Sequence, residues 1–244
     1  MQPIIEAKNL SKTYGKRQTS FRALKDIDIK INAGESVAII GKSGSGKSTL
    51  MHLLALLDRP TSGNIYINGK NTTKLKKSEL NYLRNQEFGF VFQQFFMNAS
   101  DTVLENVMLP LKIAKSSPFR RKELALDALK TVGLADKAKN RATNLSGGQK
   151  QRTCIARAIV NNPKIIFADE PTGNLDSANG EKITKLLFGL NREKGVTLVI
   201  VTHDEDLAKL CNRTIRISDG KISAETNKNS AKPTRENITR EKNQ

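Results

Sequence analysis

The chain has 244 residues, with 41 lysines and arginines against 24 aspartates and glutamates, a formal net charge of +17. That length suits one large or two small globular domains with a substantial core, and no stretch nears the roughly 20 uninterrupted apolar residues that cross a bilayer. The positive balance favours nucleic acid, anionic membranes and polyphosphates alike, but only 5% of residues are aromatic and no basic stretch interleaves them, which argues against a base-stacking platform.

The N-terminus, Met1 to Glu6, lacks the basic region and apolar run of a signal peptide, so a cytosolic chain is expected. Ile4 to Leu10 reads as a strand, followed by a turn around Tyr14-Gly15-Lys16 and a polar insertion through Ser20. Ala23 to Ile31 alternates apolar and polar residues, as a half-exposed antiparallel strand does. Ser36 to Ile40 is a short run of mostly β-branched residues, the mark of a strand buried on both faces of a parallel sheet. A helix is predicted over Leu50–Leu57 and strands over Asn64–Gly69 and Gly89–Phe92. From about Thr102 to Val132 the pattern is helical, broken near Ser116-Ser117-Pro118, and another helix should start after Ser146. Ile165–Ala168 and Thr197–Val201 are again buried strands, with a helix from about Ala178 to Lys194 between them. Strand, helix, strand in that order implies right-handed crossovers and an α/β parallel core. Residues from Glu225 have almost no apolar content and are expected to form a disordered tail, 225–244. Cys154 and Cys211 have no metal or redox spacing and read as buried thiols. The clusters Lys74, Lys76, Lys77 and Arg120, Arg121, Lys122 read as solvated helix faces.

Between the first buried strand and its helix stands Gly41-Lys42-Ser43-Gly44-Ser45-Gly46-Lys47-Ser48-Thr49, which matches G-x-x-x-x-G-K-[ST] at every fixed position. Its glycines let successive N–H groups turn inward around phosphates at a helix start. Lys47 can reach the β- and γ-phosphates and the Ser48 hydroxyl can ligate Mg²⁺, so this is a nucleoside triphosphate site. Asp169 and Glu170 follow a buried strand: the first suits a magnesium ion, the second a general base that polarises water. Leu145-Ser146-Gly147-Gly148-Gln149 repeats the first loop's logic, a hydroxyl and glycine N–H groups at a helix start. A nucleotide has only one γ-phosphate, so this second anion site points to a nucleotide held by another subunit.

These residues resemble the ABC transporter ATPase family, whose signature is LSGGQ, from Ile4 to about Ser223. The resemblance implies a P-loop NTPase core with a parallel sheet flanked by helices, an antiparallel N-terminal β subdomain and a small helical signature subdomain over about 95–160, within a domain 1–224. It implies that Tyr14 stacks on adenine, that Gln93 touches Mg²⁺ and the attacking water, that Asp176 is the key acid of an interface loop and that His203 contacts the γ-phosphate. His52 reads as structural. ATP and Mg²⁺ are the implied ligands. The implied partners are an integral membrane permease, with the chain peripheral on the inner face of the cell membrane, and a second copy in an ATP-dependent homodimer; no nucleic acid is expected. Leu57–Gly63, Phe92–Phe95 and Glu105–Leu111 are similar to the lipoprotein-releasing and macrolide-exporter ATPases. Lys42 departs from that subfamily's usual proline, and Phe96–Asp101 departs in the region implied to face the membrane partner. A nucleic-acid-associated ATPase of the same superfamily is the alternative, but its long coiled coil has no room in the about 98 residues between Lys47 and Leu145.

Overall fold

The computed structural model describes residues 3–16 and 19–228. The chain runs through β1 (Ile5–Tyr14), β2 (Phe21–Ile31), β3 (Ser36–Ile40), α1 (Lys47–Leu54), β4 (Ser62–Ile67), β5 (Lys70–Asn71), α2 (Lys77–Glu87) and β6 (Phe88–Val91). It continues with α3 (Val103–Ile113), α4 (Pro118–Thr131), α5 (Gly147–Ile159), β7 (Ile165–Asp169), α6 (Ser177–Lys194), β8 (Thr197–Val201), α7 (Glu205–Leu210), β9 (Arg213–Ser218) and β10 (Lys221–Asn227). Among the described residues no helix is long and apolar enough to cross a membrane.

Two sheets result. The first is antiparallel, in the order β2-β1-β4-β5. The second has the order β10-β9-β3-β8-β7-β6, parallel throughout except for β10 on β9. The expectation that three central strands are buried on both faces is met, and strand periodicity explains how. Val37, Ile39, Ile165, Phe167, Val199 and Val201 point into a core shared with α1 and the antiparallel sheet. Ala38, Ile40, Ile166, Ala168, Leu198 and Ile200 point into the other core, beneath α3 to α7. The predicted helical break is also found: α3 ends at Ile113, and α4 opens with Pro118 at its first position, where a missing N–H costs nothing. Cys154 and Cys211 are buried.

The expected boundary of the tail at residue 225 is not met. Glu225, Thr226 and Asn227 are strand residues, paired with Ile215, Thr214 and Arg213. Arg213 lies 2.7 Å from the Glu225 carboxylate, a cross-strand charge pair that an apolar count does not register. The rest of the expected tail, from residue 229, lies outside the described residues.

Candidate functional site

The C-terminal ends of β3, β7 and β8 lie side by side, because β8 is the strand between the other two. In open parallel sheets ligands bind at this edge. Directly after β3, Gly41 passes so close to β9 that a β-carbon would stand 2.2 Å from the Ile217 carbonyl oxygen. Only glycine permits that approach. Gly44, at the crest of the loop, has φ +76° with nothing within 4 Å of where a β-carbon would be. There the backbone, not crowding, selects glycine, and the cradle stays open. The Lys47 ammonium donates to the carbonyls of Gly41 and Lys42, both at 2.9 Å, which holds it over the loop. The Ser45 hydroxyl is buried with no hydrogen-bond partner, packed against Gly41. The Gly220 N–H donates to the Ser45 carbonyl at 3.0 Å, so the β9–β10 turn braces the loop from behind.

Asp169 ends β7, and burial raises its carboxyl above the ordinary value; the Glu170 charge adds to this while His52 and Lys47 oppose it. Glu170 has φ +44°, uncommon for a side chain of its size and a store of backbone strain. Its carboxylate accepts from the Thr202 hydroxyl at 3.0 Å and from the His203 N–H at 2.9 Å. The His203 Nδ1 is 2.8 Å away; an ionised carboxylate has no proton to give, so the ring is the donor.

Gln93 lies past β6 and is tied to the loop beyond Glu170. Its amide donates to Asn174 Oδ1 at 3.3 Å, and Asn174 donates back to the Gln93 carbonyl at 2.9 Å. From α5, the buried Gln151 amide donates to the Pro171 carbonyl at 2.7 Å. Ser146 caps α5: its hydroxyl accepts from the Gln149 N–H at 3.3 Å, and the Gln149 side chain accepts from the Ser146 N–H at 3.0 Å. Asp176 caps α6 in the same manner, accepting from the Asn179 N–H and side chain at 2.9 and 2.7 Å, and these bonds hold its carboxyl below the ordinary value. The two caps are adjacent, since a β-carbon on Gly148 would stand 2.5 Å from Asn179 Oδ1.

The predicted residues thus fall into two groups. Gly41 to Thr49, Asp169, Glu170 and His203 gather at the sheet edge, with Tyr14 beside Thr49. Ser146, Gly147, Gly148 and Asp176 gather at the starts of α5 and α6, and among the described residues no hydrogen bond joins them to the phosphate loop. Gln93 and Asn174 stand between, through Pro171 and Gln151. Sequence reasoning missed Thr202, Gln151 and Gly220, which carry no motif of their own, and the tie of Asn174, in the expected interface loop, to Gln93.

The donor set of Ser48, Gln93 and Asp169 is all hard oxygen, which fits magnesium. Among the described residues no cluster of three His, Cys, Asp or Glu could hold a metal unaided. Magnesium rarely asks for one, since it keeps waters and leans on substrate phosphates.

Residues 24–173 match the ABC transporter family. An uncharacterized ABC transporter ATP-binding protein of Methanocaldococcus jannaschii is 48% identical over 225 residues, covering 92% of this chain and 100% of that one. The macrolide export ATP-binding/permease protein MacB of Mannheimia succiniciproducens is 45% identical over 98% of this chain, which spans only 37% of that longer protein. Among solved structures, a dimeric bacterial ABC transporter cassette matches with a TM-score of 0.84 and 46% identity, over 91% of this chain and 98% of that one. A dimeric post-hydrolysis state of an ATP-binding cassette bound to ADP and Pi matches with the same TM-score at 45% identity, over 91% of this chain and 98% of that one.

Proposed function

Since the chain belongs to the ABC transporter family, as an ATP-binding cassette, we propose that two copies enclose two ATP molecules and that hydrolysis between them drives a membrane permease. The observation that carries this reading is the pair of helix starts. One lies behind the glycine loop of α1; the other lies at α5, where Ser146 and Gly147 are exposed beyond a Ser146–Gln149 cap. The γ-phosphate of ATP gives the second start a ligand when it comes from the partner copy.

Lys47 and the loop N–H groups hold the phosphates, and the Tyr14 ring receives the base. Ser48, Gln93 and Asp169 hold Mg²⁺, which when bound offsets charge on the phosphates. Glu170 takes a proton from the attacking water as the water oxygen bonds to the γ-phosphorus and the bond to the ADP oxygen breaks. His203, tied to Glu170, keeps the carboxylate aimed and meets the γ-phosphate. Asp176 crosses the dimer interface. The region of Phe96–Asp101, at the start of the helical segment of about 95–160, faces the permease, with the cassette peripheral on the inner face of the membrane. The nucleic-acid alternative has no support: the segment between Lys47 and Leu145 folds as short strands and helices, with no coiled coil.

The test uses Glu170→Gln, which should slow turnover, on size-exclusion chromatography with magnesium. ATP should convert that variant to a dimer and ADP should not. Adding Ser146→Arg should abolish the dimer while leaving ATP binding to the monomer. A double variant that still dimerises with ATP would show that the signature does not act across the interface.

A further inference from the structure

Tyr14 ends β1 with 41% of its surface exposed, and an exposed ring normally samples several rotamers. Here it is held both at its hydroxyl and on one face. Its hydroxyl donates to Asp58 Oδ2 at 2.9 Å. Lys12, two residues earlier and so on the same face of the strand, places its ammonium 4.8 Å from the centre of the ring. That ammonium is itself fixed, donating to Asp58 Oδ1 at 2.8 Å and to the Arg59 carbonyl at 2.7 Å. Thr49, on the first turns of α1, lies beside the phenol.

Asp58 is in turn positioned by the way the chain leaves α1. Leu56 adopts φ +56°, and the N–H groups of Leu57 and Asp58 both fold back onto the His52 carbonyl, at 2.8 and 3.3 Å. The Arg59 N–H closes on Asp58 Oδ1 at 2.7 Å. Burial pushes the Asp58 carboxyl up, but the bonds from Lys12, Arg59 and Tyr14 outweigh it and hold the group below its ordinary value. One carboxylate thus grips both the phenol and the cation packed on the ring, from a loop rooted in the phosphate-binding helix.

We propose that Asp58 is a positioning residue for the nucleotide base: with Lys12 it fixes the plane of Tyr14 and its distance from the phosphate loop. This rests on reading Tyr14 as the base platform. Lys12 covers one face of the ring, so adenine would stack on the other, and the attraction between cation and ring helps to hold the ring in place. The geometry makes Asp58 matter to ligands that carry a base and irrelevant to those that do not.

The experiment measures binding of ATP and of inorganic tripolyphosphate to Tyr14→Ala, Tyr14→Phe, Asp58→Ala, Asp58→Asn and the double variant Tyr14→Phe/Asp58→Ala. KM and kcat for ATP are measured alongside. Asp58 acts on the base only through the ring, so its loss should cost what one ordinary hydrogen bond is worth, about two- to tenfold: Asp58→Ala should bind ATP about that much more weakly, with tripolyphosphate binding and kcat unchanged. Asp58→Asn, which keeps an oxygen for the phenol but loses the ion pair, should fall between, and serves if Asp58→Ala folds poorly. The double variant should be weakened less than the product of the two single losses, because both remove the same bond. Equal losses for ATP and tripolyphosphate would mean that Asp58 merely supports the phosphate loop, and would overturn the proposal. So would a Tyr14→Ala variant that loses ATP affinity while both Asp58 variants keep it. If Tyr14→Ala leaves the preference for ATP over tripolyphosphate untouched, the base-platform reading fails and this proposal with it.

Discussion

Replacing Glu170 with glutamine separates its chemical role from its structural one, because the local bonding can survive the change. The carboxylate has three donors: the His203 N–H and ring on Oε1, and the Thr202 hydroxyl on Oε2. A glutamine that puts its carbonyl at Oε1 keeps both histidine contacts. Its NH₂ then faces Thr202 Oγ1, which turns from donor to acceptor while still receiving the Asp204 N–H, 3.0 Å away. What is lost is the charge assistance, about 1–2 kcal/mol in all, and a chain of this length should melt only a few degrees lower. The proton acceptor, by contrast, disappears entirely. Loss of a general base should cost about 10²- to 10⁴-fold in rate, a barrier increase of about 2.7–5.5 kcal/mol. Rapid-quench single-turnover hydrolysis reads the chemical step, and calorimetric ATP titration and thermal melting check binding and fold. A control is Thr202→Val, which removes one donor but leaves the carboxylate, and should slow the step less than tenfold. A Glu170→Gln variant within tenfold of the parent rate, or a Thr202→Val variant as slow as Glu170→Gln, would refute the assignment.

Two further outcomes follow from the geometry. Gly148→Ala forces a β-carbon to within 2.5 Å of Asn179 Oδ1, so it should destabilise by about 1–3 kcal/mol and weaken the ATP-dependent dimer of Glu170→Gln by disturbing the Asp176 cap; unchanged melting and dimerisation would show that Asn179 swings aside freely. Burial lifts the thiols of Cys154 and Cys211 to about 11 and about 12, which leaves roughly one thiolate in a thousand or fewer at pH 8, so maleimide labelling should wait for unfolding, and rapid labelling of the folded chain would contradict the burial.

Strands β3, β7 and β8 were legible because each is a short run whose residues satisfy two cores at once, one through Val37 and Ile39 and the other through Ala38 and Ile40. The motif residues were legible because glycine loops and paired acids are local chemistry. Helix α2 was not, since Leu80 is its one buried residue and the stripe that marks an amphipathic helix is missing. Strand β10 is almost wholly exposed and is held by its pairing with β9, a partner that composition does not name. The supports of the site were hidden for the same reason. Asn174 matters because Gln93, 81 residues away, folds against it, and Asp58 because Tyr14, 44 residues away, reaches it.

The strand order also sets a timetable for the molecule's synthesis. β3, which carries the phosphate loop, has β8 on one side and β9 on the other. Both come from the last fifth of the chain: Ser36 pairs with Leu198, and Ile40 with Arg216. At roughly 5–20 residues per second, a ribosome needs on the order of ten to thirty seconds to supply those neighbours. For that interval a strand that is apolar on both faces has neither of its native edges covered, the condition in which chains pair with the wrong partner or meet a chaperone. The loop that announces itself first along the sequence is therefore among the last parts of the cassette to become a working site.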